Sequence, residues 1–433
     1  MTATLQHLVA SRRHGRPEGI TSVCSAHPLV LRAALRQGRE HGSSVLIEAT
    51  CNQVNHLGGY TGLQPGDFVS LVRTIADEEA FPAERIILGG DHLGPNPWRD
   101  RPAEDAMNEA EKMVAAFIRA GFRKIHLDAS MGCKGEPAAL DDEATAQRAL
   151  RIAEVAEQVA KGAGGAMPFY VIGTEVPPPG GADHVLTAVE PTSRAAARQT
   201  IKVHRELFGK AGLDDAFSRV VGLVVQPGVE FGNHNVIRYR RDKARDLSGL
   251  LDDEPHFVFE AHSTDYQGRE PLGELVDDGW AILKVGPELT FVLREALYAL
   301  DLMASDLLPD YGQRPLYATM ERLMSAQPNN WKGHYDGNEP ERRLLRHYSF
   351  SDRIRYYWVA PEAKAAVKRL VDALHGVRVP ASLLRQHLPA GEHFASAPLD
   401  PEAVVIWRIA RSLDDYHAAC RGNRQNQRRE ARP

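Results

Sequence analysis

Short apolar runs rich in β-branched residues recur along the first 305 residues, with longer segments of helical periodicity between them. This alternation is typical of a parallel sheet that crossover helices bury on both faces. We predict one strand for each of eight such runs. They are Ile20–Ala26, Ser44–Thr50, Arg85–His92, Lys124–Ser130, Phe169–Glu175, Val220–Gln226, His256–His262 and Trp280–Gly286.

The segments between the runs carry the signals of amphipathic helices. After Pro102, apolar residues recur at helical spacing until Gly121, which predicts one crossover helix. Further helices are predicted at Asp142–Lys161, Thr192–Phe208 and Leu289–Ser305, the last of which would close the ring. Eight such units predict the α/β class and a closed (β/α)8 TIM barrel, similar in size to known barrels.

A doubly wound open sheet is the competing architecture. It would usually carry a glycine-rich nucleotide turn after its first strand. The first predicted strand here ends in Ser25-Ala26-His27-Pro28 instead, which favours the barrel.

The pattern changes beyond residue 305, where proline- and arginine-rich connections join helical pieces such as Pro361–Leu374 and Pro401–Leu413. We therefore predict a barrel over residues 1–305 and a helical C-terminal extension over residues 306–420 that packs on it. Residues 421–433 are polar and basic, and we expect a disordered tail there.

The amino-acid composition limits the kinds of molecule that the protein is expected to bind. With 52 basic and 57 acidic residues, the net charge of -5 gives no footprint for nucleic acid or an anionic membrane, so a small-molecule substrate is expected. No apolar stretch approaches the roughly 20 residues of a membrane span, and the first 19 residues lack the apolar core of a secretory signal. The four cysteines show no C-x-x-C spacing, which argues against a disulfide framework and favours the cytoplasm.

Barrel enzymes place their active sites at the carboxyl ends of the strands. Nearly every predicted strand ends in polar residues. In order, these are Ser25 and His27; Glu48, Asn52 and Gln53; Asp91 and His92; His126, Asp128 and Ser130; Glu175; Gln226 and Glu230; Glu260, His262 and Asp265; and Lys284. Any one of them could be a satisfied structural residue, but their convergence at one face predicts an active site.

Imidazoles and carboxylates from several strand ends can build an open site for a divalent metal ion. We predict His92 and His262 as ligands, with Glu175 and Asp128 completing the site. No local H-E-x-x-H motif is present, and zinc, manganese and nickel all remain compatible.

Asp91 is the predicted general base, because a carboxylate next to a metal site can accept a proton whose acidity the metal has raised. It would point away from His92 if the strand continued regularly. The alternative is that Asp91 caps the sharp turn of Leu93–Pro97.

Features that could bind a phosphate are less specific. The small-residue loop Ser130–Gly135 contains Lys134, and Lys284 lies in the eighth strand. Arg353 and Arg355 alternate in the segment Ser351–Trp358 and could bind a phosphate together if the extension folds over the barrel mouth. This segment could equally be a packed helix with a basic edge. Gln226 and Glu48 are further substrate-binding candidates.

Three common motifs are missing from the sequence. There is no phosphate loop, no G-x-G-x-x-G turn and no G-x-S-x-G elbow. The sequence therefore gives no support to ATP or NAD chemistry, or to a serine hydrolase.

Several of these stretches together resemble the Z-subunit family of tagatose-bisphosphate aldolase, also labelled tagatose 6-phosphate kinase. The resemblance covers about residues 20–400. The stretches that carry it are 22–30, 46–50, 52–55, 58–62, 86–96, 124–131, 171–177, 225–231, 260–267, 282–287 and 351–358, including Ile-Leu-Gly-Gly-Asp-His-Leu-Gly-Pro and Lys-Ile-His-Leu-Asp-Ala-Ser-Met.

The resemblance implies a barrel related to class II aldolases, in which the Asp-His pair serves as base and metal ligand, here Asp91 and His92. It also implies ketohexose-phosphate metabolism, either as a stand-alone C4 epimerase or as a subunit that supports a separate aldolase chain. The kinase label has no support in the residues.

Our leading hypothesis is a metal-dependent D-tagatose 6-phosphate 4-epimerase that works by retro-aldol cleavage and re-addition, with Asp91 or Glu260 taking the C4 hydroxyl proton. The alternatives are a non-catalytic subunit of a tagatose-bisphosphate aldolase and a bisphosphate aldolase in its own right. We also expect a homo-oligomer.

Overall fold

The chain forms a closed barrel of eight parallel strands, as predicted. The computed structural model describes residues 2–174 and 188–421, so Glu175 and all of the predicted tail except Arg421 lie outside the described residues. The barrel strands are β1 Ile20–Cys24, β2 Val45–Thr50, β3 Ile86–Leu93, β4 Lys124–Leu127, β5 Phe169–Gly173, β6 Val220–Val224, β9 Val258–Ala261 and β10 Trp280–Val285. An antiparallel hairpin that the sequence did not predict, β7 Glu230–Phe231 and β8 Val236–Ile237, follows β6.

Each strand pairs with its neighbours in chain order, and β1 pairs with β10 to close the ring. The helices are α1 Thr2–Arg13, α2 Pro28–His41, α3 Pro65–Glu78, α4 Ala103–Ala120, α5 Asp142–Gly162, α6 Arg194–Lys210, α7 Asp214–Ser218, α8 Arg241–Ser248, α9 Leu250–Asp253, α10 Arg269–Asp277, α11 Pro287–Leu307, α12 Pro315–Ala326, α13 Glu339–Tyr348, α14 Pro361–Leu374, α15 Ala381–His387 and α16 Pro401–Cys420. Within the described ranges, no helix combines the length and apolar character needed to cross a membrane.

The ends of the helices follow from their sequences. Helix α4 begins after Pro102 and ends at Gly121, whose left-handed backbone (φ 101°) lets its N–H donate to the carbonyl of Ile118. Helix α5 is capped by Asp141, whose carboxylate accepts from the N–H of Ala144. These features made both helices predictable.

The helical layer contains an element from the far end of the chain. Helix α16 packs against α2 on one side and α10 on the other, and also contacts α11 and β1. The Tyr416 hydroxyl donates to the carbonyl of Thr264 at 2.7 Å. The sequence analysis did not predict that a helix from the end of the chain joins this layer beside α11. The division of the chain at residue 305 stays a prediction.

The amino-terminal end of the barrel is covered by α1, which the sequence did not predict. Leu5 and Leu8 are almost fully buried and pack with apolar residues near the strand starts, including Leu46, Ile87 and Val258. This apolar contact keeps water from one end of the barrel and leaves the other end for the polar site.

We expect Leu8→Ala to lower the free energy of unfolding by about 2–5 kcal/mol, because it leaves a cavity under the barrel. Gln6→Ala in the same helix is the matched control, since Gln6 is exposed and should change stability by no more than about 0.5 kcal/mol. Denaturant titration of both variants measures the difference. Equal stability would contradict the role given to α1.

Candidate active site

A register shift in β3 sets the direction of the two residues at its end. Pairing between β3 and β4 is regular at Gly90 and resumes at Leu93, and His92 has a left-handed backbone with φ 50°. Asp91 and His92 consequently both contact groups of the barrel interior instead of alternating. This resolves the question of where Asp91 points, because a regular strand would have separated the two side chains.

The chain leaves β3 through a glycine that the packing requires. A Cβ atom on Gly94 would lie 1.6 Å from the carbonyl oxygen of Asp128, which no side chain could tolerate. The Asp128 N–H donates to the carbonyl of Leu93 at 3.2 Å. This close approach holds the end of β3 against the residues that follow β4.

Two imidazoles at the site each have a carboxylate partner. Nδ1 of His92 lies 2.7 Å from Asp128, which also accepts from the Ser130 hydroxyl at 3.0 Å. Nε2 of His262 lies 3.0 Å from Glu260. Because a carboxylate accepts, the partnered nitrogen carries the proton, and in the neutral form of the ring the other nitrogen keeps its lone pair. Such partners orient metal-binding histidines in many proteins.

A third imidazole, His126, was expected among the polar strand ends, but the sequence analysis assigned it no role. Its Nε2 donates to the carbonyl of Gly173 at 3.0 Å, and its Nδ1 lies 3.0 Å from the Asp91 carboxylate. Its ring centroid is 5.1 Å from that of His92 and 5.3 Å from that of His262.

Below the imidazoles lies a buried layer of ion pairs. Lys124 contacts Glu48 at 2.5 Å and Glu260 at 2.7 Å. Lys284 contacts Asp91, Glu48 at 3.0 Å and Glu260 at 3.5 Å. All five side chains are almost completely enclosed, so each charge depends on its partners. The sequence analysis did not identify Lys124 as a member of the site.

The layer needs a glycine on β3. A Cβ atom on Gly89 would lie 2.5 Å from Oε1 of Glu48 and would displace that carboxylate. The Gly-Gly pair before Asp91 therefore has a packing reason, because its first member makes room for an ion pair.

The charges shift the protonation of the site. Burial opposes ionisation of Asp91, but His92 and Lys284 hold its pKa well below the ordinary value. Burial also works against His92, yet Asp91 and Asp128 raise its pKa. Burial and the Lys284 ammonium lower the pKa of His262 to about 3, so His262 is neutral at physiological pH.

The site opens into a cleft of about 2000 Å³ at the carboxyl ends of the strands. Residues of both the barrel and the C-terminal part line it, which supports binding of a small polar molecule. Among them are Asp91, His92, Asp128, Ser130, His262, Lys284, Tyr60, Arg353, Arg355 and Tyr356.

Some predicted site residues lie elsewhere. Lys134 is exposed and does not line the cleft. Gln226 is buried, and its side-chain oxygen accepts from the N–H groups of Gly228 and Val229, so it braces a turn. Glu48 and Glu260 lie in the ion-pair layer and do not line the cleft.

Four side chains could share a metal ion. Asp91, His92, His126 and His262 each offer one ligand atom, and these atoms all lie within 4.8 Å of one another. The carboxylate oxygens of a second group, Glu48, Asp91 and Glu260, also lie within 4.8 Å of one another. The two lysine ammonium groups already occupy that second group, so the imidazole group is the better candidate.

Comparison with known proteins shows which family the chain resembles in sequence. The family model described as D-tagatose-1,6-bisphosphate aldolase subunit GatZ/KbaZ-like matches residues 5–421. The chain is 60% identical over 419 residues to D-tagatose 6-phosphate 4-epimerase of Agrobacterium fabrum (strain C58 / ATCC 33970), covering 97% of this chain and 99% of that protein.

A solved structure is also similar. The crystal structure of a probable tagatose 6 phosphate kinase from Sinorhizobium meliloti 1021 shares 51% identity with a TM-score of 0.86, covering 93% of this chain and all of that one. With its eight-stranded barrel and a family match over nearly its whole length, this chain belongs to the GatZ/KbaZ-like family.

Proposed function

We propose that this chain is a D-tagatose 6-phosphate 4-epimerase that inverts C4 by retro-aldol cleavage and re-addition. The observation that carries the proposal is the β3 register shift, which directs Asp91 and His92 together toward His262 at the base of the cleft. The name of the 60% identical relative supports the same substrate. The chain is an enzyme of the epimerase or aldolase type.

The residues present fit a divalent cation. Asp91, Asp128, Glu48 and Glu260 are four carboxylates, and Lys124 and Lys284 supply two ammonium groups, which leaves two negative charges to balance. His92 and His262 would hold the ion, with a further ligand from Asp91, His126 or Glu175. When bound, such an ion supplies Lewis-acid stabilisation of the oxygens of the ketose.

The contacts of Asp128 support a different role from the one that the sequence suggested. Its two oxygens contact the His92 ring and the Ser130 hydroxyl. We therefore propose that Asp128 orients His92 instead of binding the ion. Glu260 does the same for His262, and its complete burial beneath that ring argues against a direct contact with substrate.

Asp91 is the proposed base. Because its pKa is held low, it is ionised at neutral pH and can accept the proton of the C4 hydroxyl. As that proton leaves, the C4 oxygen forms a carbonyl and the C3–C4 bond breaks, so the electron pair stays on the three-carbon ketose half. The aldehyde half turns, C3 attacks its other face, and the proton returns to the C4 oxygen. Atoms and electrons balance without an oxidant.

The proposal is tested by incubating the purified chain alone with D-tagatose 6-phosphate and following D-fructose 6-phosphate by carbon NMR. We expect interconversion without a partner protein. Turnover that appears only when an aldolase chain is added would favour the supporting-subunit alternative, which the family description keeps open. A second incubation supplies D-tagatose 1,6-bisphosphate instead, and net accumulation of triose products from it would favour an aldolase.

Asp91→Asn should lower kcat by about 100-fold or more while the fold is kept, because removing a positioned proton acceptor costs about 100- to 10,000-fold. Asp77→Asn is the matched control, since Asp77 is an exposed carboxylate at the end of α3. Steady-state kinetics and thermal melting of both proteins make the comparison. Full activity in Asp91→Asn would remove Asp91 from the mechanism.

Asp128→Asn should weaken binding of a divalent metal ion by about 10- to 100-fold, because it loosens the orientation of His92. Competition titration with a chromophoric chelator measures the affinity independently of turnover. The exposed Asp105→Asn variant is the control. A wild-type chain that binds no divalent ion in this titration would contradict the metal site.

A further inference from the structure

One segment of the C-terminal part is fixed firmly against the barrel. The Asp352 carboxylate accepts from the Thr290 hydroxyl at 2.7 Å and from Arg294 at 3.1 Å. The Tyr266 hydroxyl donates to the carbonyl of Phe350 at 2.7 Å. The segment that follows, residues 353–357, is a short 3-10 helix whose arginines line the cleft. Its side chains are therefore held in place before any ligand arrives.

Arg355 in this segment carries a charge that the described part of the chain does not neutralise. Its Nη1 donates to the carbonyl oxygens of Ser351 and Asp352, and its Nη2 donates to the Tyr356 hydroxyl at 3.0 Å. Among the described residues, no ion pair includes Arg355. The nearby Asp352 carboxylate is already committed to Thr290 and Arg294.

The donors that remain on Arg355 suit an oxyanion. Across residues 2–174 and 188–421, no hydrogen bond uses its Nε–H or its second Nη2–H. A guanidinium can donate through Nε and Nη2 side by side to two oxygens of one phosphate. The two backbone carbonyls fix the plane of the group without cancelling its charge.

Contacts connect Arg355 to the reacting end of the cleft. The Tyr356 ring packs edge-on against Tyr60, with centroids 4.7 Å apart. Tyr60 belongs to the loop after β2, and Gln53 of that loop donates to the carbonyl of Cys24 at 3.3 Å. The Cys24 thiol lies 3.7 Å from the Asp91 carboxylate. Arg355 and Asp91 are thus joined through one continuous wall of the cleft.

Three other cations that line the cleft are less suitable. Lys284 is enclosed by three carboxylates. Arg353 donates its Nε–H to the carbonyl of Asn330. Lys368 is exposed and pairs with Asp372.

We propose that Arg355 binds the phosphate group of the ketohexose and determines the preference for a phosphorylated over a free sugar. The inference rests on the proposed function and names the group that selects its substrate class. The phosphate binds at the arginine of the C-terminal segment, while the C3–C4 bond lies at the Asp91 end of the cleft. The phosphate takes part in no bond-making step.

The test compares binding of D-fructose 6-phosphate and free D-fructose by calorimetry in the wild type, Arg355→Gln and Arg355→Lys. In Arg355→Gln we expect affinity for the phosphorylated sugar to fall at least about 30-fold, the effect of truncating one partner of a buried charge pair. Affinity for D-fructose should not change. Arg355→Lys should recover part of the loss, because it keeps the charge but not the paired donors.

Lys368→Gln is the charge-matched control at the same cleft and should leave both affinities unchanged. Thermal melting checks that each variant is folded. If Arg355→Gln does not fold, Arg355→Lys still provides the test. Equal preference for the phosphorylated sugar in wild type and both Arg355 variants would overturn the inference, as would a wild type with no preference. A wild type that prefers the phosphorylated sugar but never converts it would contradict only the proposed function.

Discussion

The interior of this barrel depends on a buried network of ion pairs between lysines and carboxylates. Lys124 and Lys284 connect Glu48, Asp91 and Glu260 across strands β2, β3, β4, β9 and β10. Breaking a buried pair by removing one partner is strongly destabilising, so each member constrains the others. This layer also holds the imidazoles in position, since Glu260 contacts His262 and Asp91 contacts His126.

The charges in and beside the ion-pair layer explain why the two predicted histidine ligands differ in protonation. His262 lies next to Lys284, and burial together with that ammonium group keeps its ring neutral. His92 lies between Asp91 and Asp128, and their carboxylates favour a proton on its ring. Binding of a cation at this place would replace that proton, so the same negative charges favour either a proton or a metal ion.

Sequence periodicity predicted all eight barrel strands, because a strand buried on both faces must be apolar and short wherever it occurs. It also predicted Asp91 and His92 as site residues. It could not predict that both point inward, since this depends on a one-residue register shift against β4 that leaves no mark on the hydrophobic pattern.

Other parts of the site were only partly predictable. Lys124 lies on the same face as His126 and Asp128 and could have been found from the alternation alone. The roles proposed for Asp128 and Glu260 could not be predicted, because whether a carboxylate binds an ion or orients a histidine depends on distances between strands. Lys134 was chosen for its loop composition, and composition does not determine the direction of a loop.

The C-terminal part contributes to both the barrel and the cleft. Helix α16 lies between α2 and α10, and Arg353, Arg355 and Tyr356 line the cleft together with residues of the strand ends. An epimerase that cleaves a carbon–carbon bond must keep both halves bound while one of them turns. If Arg355 holds the phosphate of the aldehyde half, that half can rotate about its own bonds and present the other face of C4 without leaving. An aldolase must instead release the same fragment, so a phosphate anchor that keeps the aldehyde half bound favours re-addition over release.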